Sequence, residues 1–105
     1  MLLDECVPKR LRREFPEYEV RTVVEQGWSG VKNGALLRLA AAEFDVFLTV
    51  DQNLRCQQNL SELPLPVVLI VALSNDINVL QPLMPAVRQL LPLLKPGAFY
   101  RVPAE

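Results

Sequence analysis

Phe47-Leu48-Thr49-Val50-Asp51-Gln52-Asn53 is the stretch that decides the fold. Mostly apolar, partly β-branched residues run into a carboxylate and then into polar residues, the pattern of a buried strand that holds a charge at the lip of a sheet. Met1-Leu2-Leu3-Asp4 repeats it at the start of the chain, with Glu5 following. If these two strands are neighbours, Asp4 and Asp51 share one site.

Working outward, Pro8 stands at the position where proline opens a helix, and Val7, Leu11 and Phe15 give that helix one apolar face. Pro16 stops it. Tyr18 to Val24 reads as a second strand, and Gly27-Trp28-Ser29-Gly30 as a loop. Asn33 is a suitable N-cap for a helix whose stripe is Leu36, Leu37, Ala40, Ala41 and Phe44. The third strand spans Val46 to Val50. Residues 52–64 are polar and read as irregular. Val67 to Leu73 is the most continuously apolar run, suited to a strand covered on both faces. A long stripe, Leu80, Leu83, Met84, Val87, Leu90, Leu91 and Leu94, predicts a helix that starts near Pro82 and Pro85 or kinks there. Pro96-Gly97 turns into a last strand, Ala98 to Val102.

Strands alternating with helices predict an α/β fold with a mostly parallel sheet of about five strands and helices on both faces. At 105 residues the chain suits a single domain, 1–105. In such sheets the functional crevice lies at the carboxyl ends of the strands where the winding reverses. If the first strand lies between the second and third, that crevice is lined by Asp4, Glu5 and Asp51.

Composition narrows the chemistry. Hydrophobic residues make up 50% and charged residues 22%, an ordinary globular balance. There is no histidine, which excludes Ser-His-Asp triads, histidine bases and the usual zinc enzymes. Cys6 and Cys56 form neither a disulfide framework nor a zinc pattern. No apolar run is long enough to span a membrane and no signal peptide is evident, which predicts a cytoplasmic protein without a membrane partner. The net charge of −1 argues against broad non-specific nucleic-acid binding, yet eight of the eleven Lys and Arg residues fall within the first 55 positions. Four of them, Lys9, Arg10, Arg12 and Arg13, crowd the segment after Asp4. They suit an anionic substrate or, equally, a solvated helix face.

Neighbouring carboxylates repel, so such a pair needs a proton, a basic neighbour or a cation. Mg²⁺ or Mn²⁺ suits an all-oxygen site and promotes in-line displacement at phosphate. The alternative is that Asp51 caps the following turn and Asp4 the helix opened by Pro8.

Leu2-Leu3-Asp4-Glu5 with Pro8, Gly27-Trp28-Ser29-Gly30 with Asn33-Gly34 and Leu36-Leu37, and Leu48-Thr49-Val50-Asp51-Gln52-Asn53-Leu54 together resemble the small bacterial PIN-like domains, over nearly the whole chain. The resemblance implies a three-layer α/β/α sandwich and a Mg²⁺- or Mn²⁺-dependent ribonuclease, of the kind assigned to toxin–antitoxin loci. It implies Asp4 and Asp51 as catalytic metal ligands, with Glu5 as a further ligand and Asn33 and Asn53 as auxiliaries. RNA, a small antitoxin and a second copy of the chain are the partners it suggests. Arg10 and Arg55 are candidate phosphate contacts.

One departure stands out. PIN-like sequences usually carry an acid near the start of the second helix, where this chain has Asn33-Gly34-Ala35. Glu43 lies roughly 15 Å further along that helix at about 1.5 Å per residue, too far to substitute. The alternative is therefore a catalytically degenerate PIN-like module for binding or dimerisation. A receiver-like phospho-acceptor domain is a third reading, opposed by Lys95 preceding the last strand. Trp28 is expected to pack over the sheet edge, and Asp76 to cap a helix rather than bind metal.

Overall fold

The computed structural model describes residues 1–31, 33–51 and 65–103. Among these residues, five strands form one all-parallel sheet: β1 (Leu2–Leu3), β2 (Arg21–Thr22), β3 (Phe47–Thr49), β4 (Val67–Ile70) and β5 (Phe99–Val102). Their order is β2-β1-β3-β4-β5. The chain moves outward from β1 to β2, then returns to lay β3 on the other side of β1. The winding thus reverses between β1 and β3, the order that brings Asp4 and Asp51 to adjacent strand ends.

Period-2 alternation splits the core into two clusters, one on each face of the sheet. Leu3, Leu48, Val68 and Ile70 pack with Val7, Leu11 and Phe15 and with Leu80, Met84 and Val87. Leu2, Phe47 and Val67 pack on the opposite face with Leu36, Leu37 and Ala40. The latter three lie on α1 (Asn33–Glu43), so the sheet is sandwiched between α1 and the helical segments within 9–14 and 77–93, an α/β/α arrangement. Each large side chain buried in this way stabilises the fold by roughly 1.5–3 kcal/mol.

The first helical segment is a 3-10 helix, Lys9–Glu14, rather than an α-helix. Pro8 and Pro16 leave a short span, and its i→i+3 bonds run from Leu11 N to Pro8 O and from Phe15 N to Arg12 O, both 3.1 Å. Its apolar stripe is still fully buried. The predicted strand over 18–24 is reduced to Arg21–Thr22. Thr22 N donates to Glu25 Oε1 at 3.0 Å and Glu25 N donates to Thr22 Oγ1 at 3.1 Å. This reciprocal pair bends the chain into a turn that runs on to Gly27, whose φ of 76° glycine tolerates. β4 ends at Ile70, and Leu73, predicted to lie in that strand, is fully exposed.

Prolines divide the C-terminal helical stretch. It comprises α2 (Ile77–Leu80), a 3-10 turn (Gln81–Leu83), α3 (Met84–Leu90) and a second 3-10 turn (Leu91–Leu93). Pro82, Pro85 and Pro92 each stand in the first turn of a segment, where a missing N–H costs least. The stripe survives these breaks, with Leu80, Met84, Val87 and Leu91 buried. Among the described residues, no helix is long and apolar enough to cross a membrane.

Candidate functional site

Leu2 pairs with Phe47 across the β1–β3 ladder. Asp4 stands two residues beyond Leu2, and Thr49 two beyond Phe47, so strand alternation sends both side chains toward the same face. Thr49 Oγ1 donates to Asp4 Oδ2 at 2.7 Å, and the same oxygen accepts from Asp51 N at 3.0 Å. The Thr49 side chain is completely buried. One hydroxyl therefore ties together the two acid-bearing strand ends.

Asp4 has further partners. Its Oδ1 accepts from Glu5 N at 2.8 Å, and Cys6 Sγ points to Oδ2 at 3.7 Å. Its backbone N–H continues the ladder to Leu48 O at 3.0 Å, and its carbonyl accepts from Val7 N at 3.0 Å. The carboxylate is thus held by its own turn on one side and by β3 on the other. Glu5 Oε1 accepts from Gly30 N at 3.0 Å, which draws the 27–30 loop against the site. That loop is anchored by Trp28, whose ring packs edge-to-face on Phe44 at 6.1 Å, in keeping with a packing role for this residue. Asn75 Nδ2 donates to Cys6 O at 3.2 Å and closes the other wall.

Together these residues line a groove of about 470 Å³, with Asp4, Glu5, Cys6, Asp51 and Asn75 around it and Val31, Leu36 and Val50 supplying apolar surface. Asp4 and Asp51 are half-buried and Glu5 is exposed. Burial pushes the Cys6 thiol above its ordinary range, and the neighbouring Asp4 charge pushes it in the same direction. A thiol in this setting stays protonated at neutral pH and is a poor nucleophile.

Of the residues picked from sequence, Asp4, Glu5 and Asp51 meet in this groove. The side chain of Asn33, together with Asn53, Arg55 and Cys56, lies outside the described residues. Arg10 does not line the acidic groove; it lines a second groove with Lys9, Arg12 and Arg13. Asp76 caps α2, its Oδ1 accepting from Asn78 N at 2.8 Å, as expected for a helix cap. Glu43 lines a cleft at the other end of the sheet with Met1 and Asp45, so it cannot replace the acid missing near the start of α1. Lys95 precedes β5, as the sequence predicts, between Leu94 and Pro96, which line the cleft at the other end of the sheet. Thr49 and Asn75 are not legible from sequence as parts of the site.

An ionised carboxylate offers about four acceptor positions, and Glu5 N, Thr49 Oγ1 and Cys6 Sγ use three of those on Asp4. Acceptor capacity remains for a ligand. Among the described residues no group of three or more His, Cys, Asp and Glu side chains is gathered as a metal cage. The donor set instead fits the way Mg²⁺ is commonly held, by one or two carboxylates completed by water and substrate phosphate. Compared with known proteins, the chain matches no family model, no curated protein and no solved structure.

Proposed function

We propose that this protein is a metal-dependent ribonuclease acting at the groove between the ends of β1 and β3. The observation that carries the reading is the hydroxyl of Thr49, which holds Asp4 from one side and the Asp51 backbone from the other. A buried hydrogen-bonded link of this kind pre-sets two carboxylate-bearing strand ends at the reversal point of a parallel sheet, where such folds bind ligands.

Asp4 and Asp51 would hold Mg²⁺ or Mn²⁺, with Glu5 beside them. The bound ion would supply an activated water and charge stabilisation for displacement at a phosphodiester. The protein's own part is positional. Thr49 and Glu5 N fix the Asp4 carboxylate, and Glu5 ties the Gly30 loop to one wall. The PIN-like resemblance supports RNA as the substrate and a toxin role with a small antitoxin, or a second copy of the chain, as partner.

A second reading, a non-catalytic PIN-like binding module, is favoured by the small number of carboxylates that meet here and by Asn33-Gly34-Ala35. One experiment separates the two: a labelled single-stranded RNA pool is incubated with purified protein in Mn²⁺, alongside Asp51→Asn prepared identically. Cleavage by the wild type that is lost in the variant supports the nuclease. Absence of cleavage by both supports the binding module.

A further inference from the structure

A basic groove lies close to the acidic one. Cys6 and Asn75 line the acidic groove, and their close neighbours Pro8 and Asp76 line the basic one. A hydrogen bond from Asn75 Nδ2 to Cys6 O joins the two chain segments that contribute to both grooves. The second groove has a volume of about 770 Å³ and takes Lys9, Arg10, Arg12 and Arg13 from the 3-10 helix. Its one carboxylate, Asp76, is engaged by the Asn78 N–H as a helix cap.

The four cations divide by their pairing. Arg12 is bound to Glu25 at 2.7 Å, and the next carboxylate along the chain, Glu14, is bound to Arg88 at 3.2 Å. Lys9, Arg10 and Arg13 are exposed and form no ion pair among the described residues, although Lys9 contributes through-space attraction at Glu25. Three cations without an ion-pair partner among the described residues therefore sit on one short helix close to a groove of carboxylates, in a chain whose net charge is −1. A polyanion cannot enter the acidic groove unaided, because carboxylates repel phosphate. It needs a positive surface close by that holds the flanking backbone.

We infer that Lys9, Arg10 and Arg13 form a phosphate-binding track that receives the backbone of a single-stranded nucleic acid next to the acidic groove. The inference deepens the ribonuclease reading, on which it rests for the meaning of the neighbouring groove. A six-residue 3-10 helix is only about 12 Å long at roughly 2.0 Å per residue, enough for a few phosphates of a flexible strand and with no element shaped to enter a duplex groove. Recognition through phosphate alone makes binding independent of sequence and strongly dependent on salt.

The test reads binding rather than cleavage. A fluorescein-labelled oligouridylate is titrated in EDTA at several salt concentrations against wild type, the triple variant Lys9→Ala/Arg10→Ala/Arg13→Ala, the charge-keeping pair Arg10→Lys/Arg13→Lys, and Arg88→Ala. Loss of three phosphate contacts is expected to weaken binding about tenfold or more near 0.1 M salt and to make the slope of log K against log salt shallower by about 2. The Lys pair and Arg88→Ala should keep the wild-type slope. An unchanged slope in the triple variant, an equal loss in Arg88→Ala, or no binding by the wild type overturns the inference. So does tighter binding of polyglutamate than of oligouridylate, which would point to an acidic protein segment. Track-dependent binding without Asp51-dependent cleavage leaves the track standing and removes the nuclease; cleavage with track-independent binding does the reverse.

Discussion

The loops that follow β1 and β4 each carry an aspartate at the same end of the sheet, yet the two acids behave differently. Asp4 comes immediately after Leu3 and is gripped by Glu5 N, Thr49 Oγ1 and Cys6 Sγ while still lining a groove. Asp76 comes six residues after Ile70, and its Oδ1 accepts from the backbone of the helix it starts. Distance from the strand end decides the outcome. An acid directly at the end remains within reach of side chains on the neighbouring strand. One placed beyond a loop of five residues has left the sheet and belongs to the next helix, whose free N–H groups claim it.

The largest expected difference between them is in activity. Asp4→Asn should reduce Mn²⁺-dependent RNA cleavage by roughly a thousandfold, about 4 kcal/mol of barrier, whereas Asp76→Asn should change it less than about twofold. Mn²⁺ should also raise the melting temperature of wild type and of Asp76→Asn but not of Asp4→Asn, because only a ligand bound to the native state stabilises it. Equal losses in the two variants would break the comparison.

Thr49 is the next element to test, because it is what distinguishes the β1 end from the β4 end. Thr49→Val keeps the shape and removes the hydroxyl, leaving Asp4 Oδ2 and Asp51 N without that partner. Denaturant unfolding should show a loss of about 1–3 kcal/mol, the usual cost of stranding buried polar groups, with Thr49→Ser recovering most of it. A neutral Thr49→Val would mean that Asp4 is held by its own turn alone. The corresponding experiment at β4 is smaller. Asp76→Ala removes a helix cap, which should cost about 1 kcal/mol, and Asp76→Asn should restore it.

The same contrast shows which features were legible in sequence. The β-α-β alternation and the two strands that end in acids were enough to place Asp4, Glu5 and Asp51 together once β1 lay between β2 and β3, and Asp76 reads as a cap because turn residues precede a helical stripe. Thr49 was not legible. A threonine inside an apolar strand satisfies β-propensity without any hydrogen bond, and its partner lies 45 residues away on another strand. The end of β2 was hidden for a related reason: Val23 and Val24 suggest continued strand, but the Thr22–Glu25 pair supplies local hydrogen bonds that compete with the ladder. Pro8 and Pro16 mark the ends of the first helical segment without revealing that i→i+3 bonds fill the space between them.

The smallest effect concerns Cys6, which is packed against Asp4 and has no counterpart in the loop after β4. Burial first, and the Asp4 charge after it, raise the thiol above its ordinary value of 9.0. Between that value and the raised one, the folded state keeps a proton that the unfolded chain has lost. The resulting stability is complete below about pH 9 and falls as pH rises through the raised value. Urea midpoints measured at neutral pH and again above pH 9 should therefore fall further for wild type than for Cys6→Ala, in which this linkage is gone. Asp4→Asn should remove only the smaller share of the difference, since burial rather than charge is the main cause. If Asp4→Asn abolished it entirely, the thiol would be reporting the carboxylate rather than its own burial, and the turn after β1 would be more open than its hydrogen bonds to Thr49 and Glu5 imply.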